Sequence, residues 1–156
     1  MPFGRWKEVF CLVTKGCGDY ITHQDWLNDV VEEDVIICYG SALEYLQWFV
    51  GYLNETEIDV FAKQKGIYDN INYHIVDSFD NLEIVTNGKV RCTTFNQTIN
   101  DMLDDWDNMD ESALAQALSD FYHEHNNNFD GIAVKPQHFE HFEHMKSWAK
   151  EFYDEY

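Results

Sequence analysis

The apolar residues in the second half of the chain recur at helical spacing. Between positions 111 and 125 they fall three and four residues apart, which places them on one helix face; they are Leu114, Ala117, Leu118, Phe121 and Tyr122. Another such stripe follows Pro136, which suits a first helical turn; it comprises Phe139, Phe142, Met145, Ala149, Phe152 and Tyr156. The pattern predicts two amphipathic helices, separated by three asparagines at 126–128.

A third helix is predicted from its start signal. Thr94 stands at the N-cap position and Gln97 at the reciprocal position of a capping box, where each side chain would bond the backbone of the other. Ile99, Met102 and Leu103 then face inward. We expect this helix to end in an acidic bend at 104–110, just before the helix at 111–125.

Short apolar runs upstream of these helices predict strands. They lie at 35–39, 58–62, 71–76, 82–86 and 90–93. Asn87-Gly88 between the last two is a strong signal for a tight hairpin. Ser41 follows Gly40 and is predicted to cap a helix at 42–52; this reading is favoured over a nucleophilic role for Ser41.

The first 34 residues predict two short helices, one at 4–14 and one beginning at Thr22. The order of elements indicates a single α+β domain over 1–156, with an abbreviated helical part at 1–34. We expect a small, mostly antiparallel sheet packed with the N-terminal helices and three C-terminal helices.

The charge of the chain restricts its possible functions more than the predicted fold does. The formal net charge is −19, and no Lys or Arg occurs between Lys15 and Lys63 or between Arg91 and Lys135. Such a chain repels phosphate backbones, so we expect no direct binding to nucleic acid. It attracts basic protein clefts in a salt-sensitive way. The alternative is that the acidity serves solubility alone.

The cellular setting is predicted from what the sequence does not contain. No apolar run reaches the length of about 18 residues typical of a membrane span, and we find no secretory signal. We therefore expect a cytoplasmic protein with no membrane contact, of a host bacterium or of a phage or mobile element within it. Its four cysteines are expected to be reduced.

Two groups of acidic residues are the candidate partner-binding surface. The first surrounds the predicted bend and comprises Asp101, Asp104, Asp105, Trp106, Asp107, Asp110 and Glu111. The second precedes the first strand and comprises Asp25, Asp29, Glu32, Glu33 and Asp34. An aromatic ring among carboxylates is typical of an interface hot spot for basic partners. The alternative for Trp106 is a lid folded back on the core.

Enzymatic and metal chemistry have weaker signals. Phosphate-binding glycine loops and the GxSxG nucleophile motif are absent from the sequence, so we expect neither an enzyme nor a cofactor. His138 and His141 are three residues apart on the last predicted helix, close enough to share a metal. The competing interpretation is a solvent-facing row that includes His144.

Two segments resemble the C-terminal domain of AbiE-type antitoxins, which belong to type IV toxin–antitoxin systems. They are SALEYL at 41–46 and VRCTTFNQTINDML at 90–103. Thr98 and Asp101 match the end of the family's second motif, whereas Asn96 and Gln97 replace its Glu and Arg. The resemblance implies an antitoxin scaffold over about residues 35–125. The family's basic DNA-binding N-terminus has no counterpart here, because the equivalent region is anionic.

In charge and size alone the chain also resembles phage-encoded anti-CRISPR and anti-restriction proteins that act as DNA mimics. The first hypothesis is therefore an acidic, non-enzymatic inhibitor that binds the nucleic-acid groove of a basic protein, such as a Cas nuclease. The alternative is an antitoxin-like protein that neutralises an AbiE-type nucleotidyltransferase toxin. A third hypothesis is a small metalloprotein that uses His138 and His141.

Overall fold

The computed structural model describes residues 34–51 and 57–152. The predicted helices at 4–14 and from Thr22 lie outside these residues, as does Tyr156 at the end of the last predicted stripe. The described chain contains a five-stranded sheet and four α-helices. The α+β class is confirmed.

The sheet has the strand order β3-β2-β1-β5-β4. Its strands are β1 (Val35–Ile37), β2 (Ile58–Ala62), β3 (Ile71–Ile75), β4 (Ile84–Asn87) and β5 (Val90–Thr93). β1 pairs antiparallel with β2, as β4 does with β5, while β1–β5 and β2–β3 are parallel. The sheet is thus mixed, with the apolar run of β1 at its centre.

The burial of each strand matches its position in the sheet. All three residues of β1 are buried, as are four of the five in β2. Central strands covered on both faces need apolar residues at every position. β4, at one edge, has no buried residue and carries the more polar sequence IVTN. The five predicted strands all form, and their ends differ from the predicted ones by two residues at most.

The predicted hairpin is confirmed, but its turn lies one residue further along. Asn87 pairs with Val90, which leaves Gly88 and Lys89 as the two loop residues. Gly88 takes a positive φ of 64°, a conformation that glycine adopts without strain. Asn87 remains in the strand, where its side-chain amide donates to the Tyr45 hydroxyl at 3.2 Å.

The predicted helix at 42–52 is displaced toward the N-terminus. Helix α1 spans Tyr39–Tyr45, and its N-cap is Cys38, whose side chain makes no capping bond. The predicted cap role of Ser41 is therefore wrong. Its hydroxyl instead accepts a hydrogen bond of 2.9 Å from the backbone N–H of Asp59 in β2, and so ties the first turn of α1 to the sheet.

The three predicted C-terminal helices are confirmed. They are α2 (Phe95–Asp104), α3 (Glu111–Glu124) and α4 (Phe139–Glu151), and a 3-10 turn at Pro136–His138 precedes α4. Thr94 caps α2 by accepting from the backbone N–H of Gln97. The reciprocal bond predicted for Gln97 is wrong. Its side chain accepts from the backbone N–H of Glu83 and donates to Asp101, which links α2 to the chain before β4.

The inward face of α4 differs from the predicted stripe at one position. Phe139 is 52% exposed, whereas His138 is buried. The cause is the 3-10 turn, whose tighter winding shifts the phase of the helix that follows. His138 takes the inward place beside Phe142 and Met145, which are buried as predicted. A histidine thereby comes to lie between α4 and α2.

One cluster of buried residues joins α1 to the three C-terminal helices, and it includes the residues on both sides of the segment between α2 and α3. Its largest fully buried members are Leu43, Ile99, Met102, Leu103, Leu114, Leu118 and Met145. A second cluster lies between the sheet and α1 and includes Cys92 of β5. The two clusters share α1 as their common element.

Asn100 of α2 fixes the segment that leads into α4. Its amide nitrogen donates to the Ala133 carbonyl at 2.8 Å, and its amide oxygen accepts from the Lys135 N–H at 2.9 Å. The residue is 7% exposed. These bonds satisfy backbone groups that the irregular segment cannot pair within itself.

We predict that Asn100→Ala lowers the free energy of unfolding by about 2–4 kcal/mol, because it leaves two backbone groups unpaired at about 1–3 kcal/mol each. Urea denaturation measures the change. Asn81→Ala is the control, since Asn81 is exposed and such a substitution changes stability by about 0.5 kcal/mol or less. Equal effects of the two substitutions would show that Asn100 does not anchor the segment.

Candidate partner-binding surface

The segment between α2 and α3 forms a short, capped turn, here called the acidic turn (residues 104–111). At its start, the Asp105 carbonyl accepts from the backbone N–H groups of Asn108 and Met109 at 3.0 and 2.9 Å. At its end, the Asp110 carboxylate accepts from the backbone N–H of Ala113 at 3.0 Å and caps α3. The aspartates at the two ends close the turn, and a carboxylate suits the positive end of the α3 dipole.

Three carboxylates of the acidic turn are exposed, those of Asp104, Asp107 and Glu111. Among residues 34–51 and 57–152, no Lys or Arg forms an ion pair with any of the three. His138 Nε2 lies 3.8 Å from Asp104 Oδ1. The predicted bend is thus confirmed as a turn, and no lysine or arginine of the described residues is paired with its exposed carboxylates.

Trp106 packs at the tip of this turn as a partly exposed lid. It contacts the core cluster of the C-terminal helices. Its indole stacks on the His141 ring with centroids 3.9 Å apart and an interplanar angle of 9°. His144 approaches the same indole edge-on at 5.6 Å. The lid interpretation accounts for these contacts, and the Trp106 side chain remains partly exposed.

The predicted solvent-facing row holds for His144 alone, which is exposed. His138 is buried, and His141 and His144 contact Trp106. His138 and His141 line one groove together with Asp104. Within the part of the chain that the structure describes, no group of three or more His, Cys, Asp or Glu is placed to hold a metal ion.

Asp101 does not belong to the exposed surface. Its side chain is largely enclosed, and Oδ2 is buried without a hydrogen-bond partner. Oδ1 accepts from Gln97 Nε2 at 2.9 Å. Burial disfavours the charged carboxylate and raises the pKa of Asp101 to about 6. Asp101 is therefore only partly exposed and lies beside Gln97 on α2, and its assignment to a partner contact stays a prediction.

Asp34 is also not an uncompensated carboxylate. Arg91 Nη2 donates to its Oδ1 at 2.6 Å, and Lys63 Nζ lies 3.5 Å from its Oδ2. The hydrogen bond from Arg91 lowers the pKa of Asp34. Strand pairing brings these distant residues together, so their spacing in sequence could not reveal it. The other four acids of this group, Asp25, Asp29, Glu32 and Glu33, lie outside the described residues.

A second pocket, of about 170 Å³, was not predicted from the sequence. Tyr39, Ser41, Asp59 and His74 line it in part. His74 Nε2 lies 2.9 Å from Asp59 Oδ1, and the Tyr39 ring meets His74 edge-on at 4.8 Å. Tyr39 has a positive φ of 51°, an uncommon conformation for a residue with a side chain. Burial raises the pKa of its hydroxyl well above the ordinary value.

These side chains are close, but they do not form a nucleophilic relay. In that chemistry a serine hydroxyl bonds the histidine, which in turn bonds the carboxylate. The Ser41 hydroxyl is bonded to the Asp59 backbone instead. Within the described residues, no hydrogen bond joins Ser41 to His74. The pocket therefore offers an oriented Asp59–His74 pair without an activated nucleophile.

Two of the four cysteines lie in the described chain. Cys38 and Cys92 are buried as free thiols. Burial raises the pKa of both thiols, which keeps them protonated and poorly nucleophilic. They serve as small apolar residues in two clusters, Cys92 in the one that contains Ala42 and Cys38 in the one that contains Phe61. Cys11 and Cys17 lie outside the described residues.

Comparisons with known proteins give no relative: no family model, no curated protein and no solved structure matches this chain. The resemblance to AbiE-type antitoxins and to anti-CRISPR proteins thus has no support from these comparisons. Among the described residues, no helix combines the length and the apolar character needed to cross a membrane.

The raised pKa of Asp101 predicts a pH-dependent stability. The folded chain holds this proton up to about pH 6, whereas an unfolded aspartate loses it near pH 4. The contribution to stability is therefore complete below about pH 4 and is lost as the pH rises through about 6. Asp101→Asn cannot ionise, so its stability relative to wild type should increase by about 1–3 kcal/mol from pH 4 to 7, at about 1.4 kcal/mol per pKa unit. Urea denaturation across this range checks it, and a difference independent of pH would contradict it.

Proposed function

We propose that this protein is a non-enzymatic inhibitor that binds the basic nucleic-acid groove of a defence nuclease, such as a Cas nuclease. The single observation that carries the proposal is the acidic turn, where Asp104, Asp107 and Glu111 are exposed without a Lys or Arg partner in the described chain. The inhibitor acts by competition. Its carboxylates take the arginine and lysine contacts that DNA or RNA phosphates would otherwise make.

The closed backbone of the acidic turn favours the binding of a partner, in addition to the charge of the turn. Its backbone is closed by the bonds at Asp105 and Asp110, so its carboxylates are presented from a fixed backbone before a partner arrives. Less conformational freedom is then lost on association. Trp106 adds a partly exposed aromatic surface between Asp104 and Asp107, and tryptophan is enriched at interface hot spots.

The proposed surface is narrower than the one predicted from the sequence. It consists of the acidic turn alone, since Asp101 is enclosed and Asp34 is paired with Arg91 and Lys63. A role for the acids between positions 25 and 33 stays a prediction. The antitoxin alternative also stays a prediction, because no contact in the described residues favours it over the inhibitor.

The test is inhibition of DNA cleavage by purified Cas9 and Cas12a nucleases, with competition against DNA for nuclease binding. We expect inhibition that weakens as the salt concentration rises. The triple variant Asp104→Asn, Asp107→Asn, Glu111→Gln should inhibit about 10- to 100-fold less well, if each exposed charge pair contributes about 0.5–1 kcal/mol.

A matched control separates the local surface from the overall charge. Asp69, Asp77 and Asp80 are exposed and lie outside the acidic turn, and their replacement by Asn removes the same three charges. This control variant should retain inhibition within about 3-fold of wild type. Equal losses in the two triple variants, or inhibition that high salt leaves unchanged, would contradict the proposal.

A further inference from the structure

A groove runs between the acidic turn and the beginning of α4. Its volume is about 460 Å³, and Asp104, Trp106, Asp107, Gln137, His138 and His141 are among the residues that line it. The volume lies within the usual range of ligand sites, about 300–1,000 Å³. Carboxylates stand on one side and the rings of α4 on the other, so the groove combines acceptors with flat aromatic surfaces.

The His138 imidazole is a mostly buried polar group among the residues that line this groove. Only 8% of the side chain is exposed, although the ring lines the groove. Its Nε2 lies 3.8 Å from Asp104 Oδ1, which exceeds hydrogen-bond distance. Within the described residues the ring makes no hydrogen bond. Neither ring nitrogen is among the fully buried atoms that lack a partner in the described chain, so the ring remains accessible to a bound group. The ring and the carboxylate together suit a group that bonds both.

Two aromatic rings that stack on each other, Trp106 and His141, line part of the groove. Trp106 and His141 lie parallel at 3.9 Å, and His144 supports the indole from its edge. Both rings of the pair are partly exposed. A planar cation stacks well against such a surface, because its apolar faces pack while its edges keep their donors available.

We propose that this groove binds the guanidinium of an arginine side chain from a partner protein. One N–H donates to the Asp104 carboxylate and another to His138 Nε2, in the tautomer that carries its proton on Nδ1. Each ring of the Trp106–His141 pair covers one face of the other, so the guanidinium plane lies against an outer ring face. Asp107 adds a second carboxylate to the lining of the groove.

Arginine fits this arrangement better than the other cations do. Lysine is a compact point charge and cannot stack while it donates to two acceptors. A metal ion needs several ligands around one centre, and no group of three metal donors exists among the described residues. The five donors of a guanidinium lie in one plane, as the acceptors beside a flat wall require.

This inference deepens the proposed function, on which it rests for the identity of the partner. It predicts that one arginine of the nuclease occupies this specific groove, whereas charge mimicry alone needs only an excess of carboxylates on the inhibitor. The site itself is tested without any nuclease, on the complete chain.

The experiment titrates isotope-labelled protein with blocked hexa-arginine and hexa-lysine peptides, and follows the His138 ring and the Trp106 indole N–H by NMR. We expect hexa-arginine to shift both signals and to bind about 3- to 10-fold more tightly than hexa-lysine. Asp104→Asn should weaken hexa-arginine binding about 3- to 10-fold. Asp69→Asn, with the same change of charge, should alter it by about 2-fold or less.

Trp106→Leu keeps an apolar lid and removes the stacking surface, so it should reduce the preference for arginine over lysine. Asp104 is exposed, so its variant remains informative if Trp106→Leu fails to fold.

Equal affinity for the two peptides, or equal effects of the Asp104 and Asp69 substitutions, would overturn the arginine site. Such a result combined with nuclease inhibition would leave the proposed function intact. Arginine binding at these residues without inhibition would retain the site and overturn that function.

Discussion

The apolar contacts among α2, α3 and α4 hold together a turn whose own charges repel one another. Met102 and Leu103 come directly before the acidic turn, and Ala113 and Leu114 follow one residue after it; all four are buried. Burying a large apolar side chain contributes about 1.5–3 kcal/mol, whereas two like charges about 4 Å apart in water cost about 1 kcal/mol. The packing is therefore strong enough to keep the carboxylates together without lysine or arginine partners.

This balance links the fold to the proposed function. Because the core supplies the stability, the exposed face of the turn is free to carry a charge pattern that contributes nothing to folding. The histidines of α4 complete the arrangement. His141 and His144 pack against the Trp106 indole, and His138 lies behind Asp104. The resulting groove is lined by carboxylates of the acidic turn, by the Trp106 and His141 rings and by the His138 imidazole.

Periodicity and turn chemistry predicted most of the fold. The helix at 111–125, the Thr94 cap and the hairpin around Gly88 all follow from local rules that need no knowledge of the rest of the molecule. The errors arose where tertiary contacts decide. Ser41 bonds a distant strand, and the 3-10 turn exchanges His138 for Phe139 on the inner face of α4.

The candidate site was predictable only where it depends on local sequence, and not where it depends on tertiary contacts. The acidic turn could be located from the sequence alone, because its carboxylates lie close together along the chain. The surroundings of Asp101 and Asp34 were not predictable, since enclosure beside Gln97 and pairing with Arg91 depend on residues brought together by folding. The groove at His138 had only the spacing of the histidines as its signal, and that pattern indicated a metal rather than a planar cation.

The central claim, that the acidic turn carries uncompensated charge held in place by apolar packing, is tested most directly by the salt dependence of folding. The free energy of unfolding would be measured from about 20 to about 500 mM NaCl, which shortens the screening length from about 20 Å to about 4 Å. The account predicts that salt stabilises the wild-type chain, and that neutralising Asp104, Asp107 and Glu111 removes more of this gain than neutralising Asp69, Asp77 and Asp80. An unchanged gain after the first substitution would contradict it.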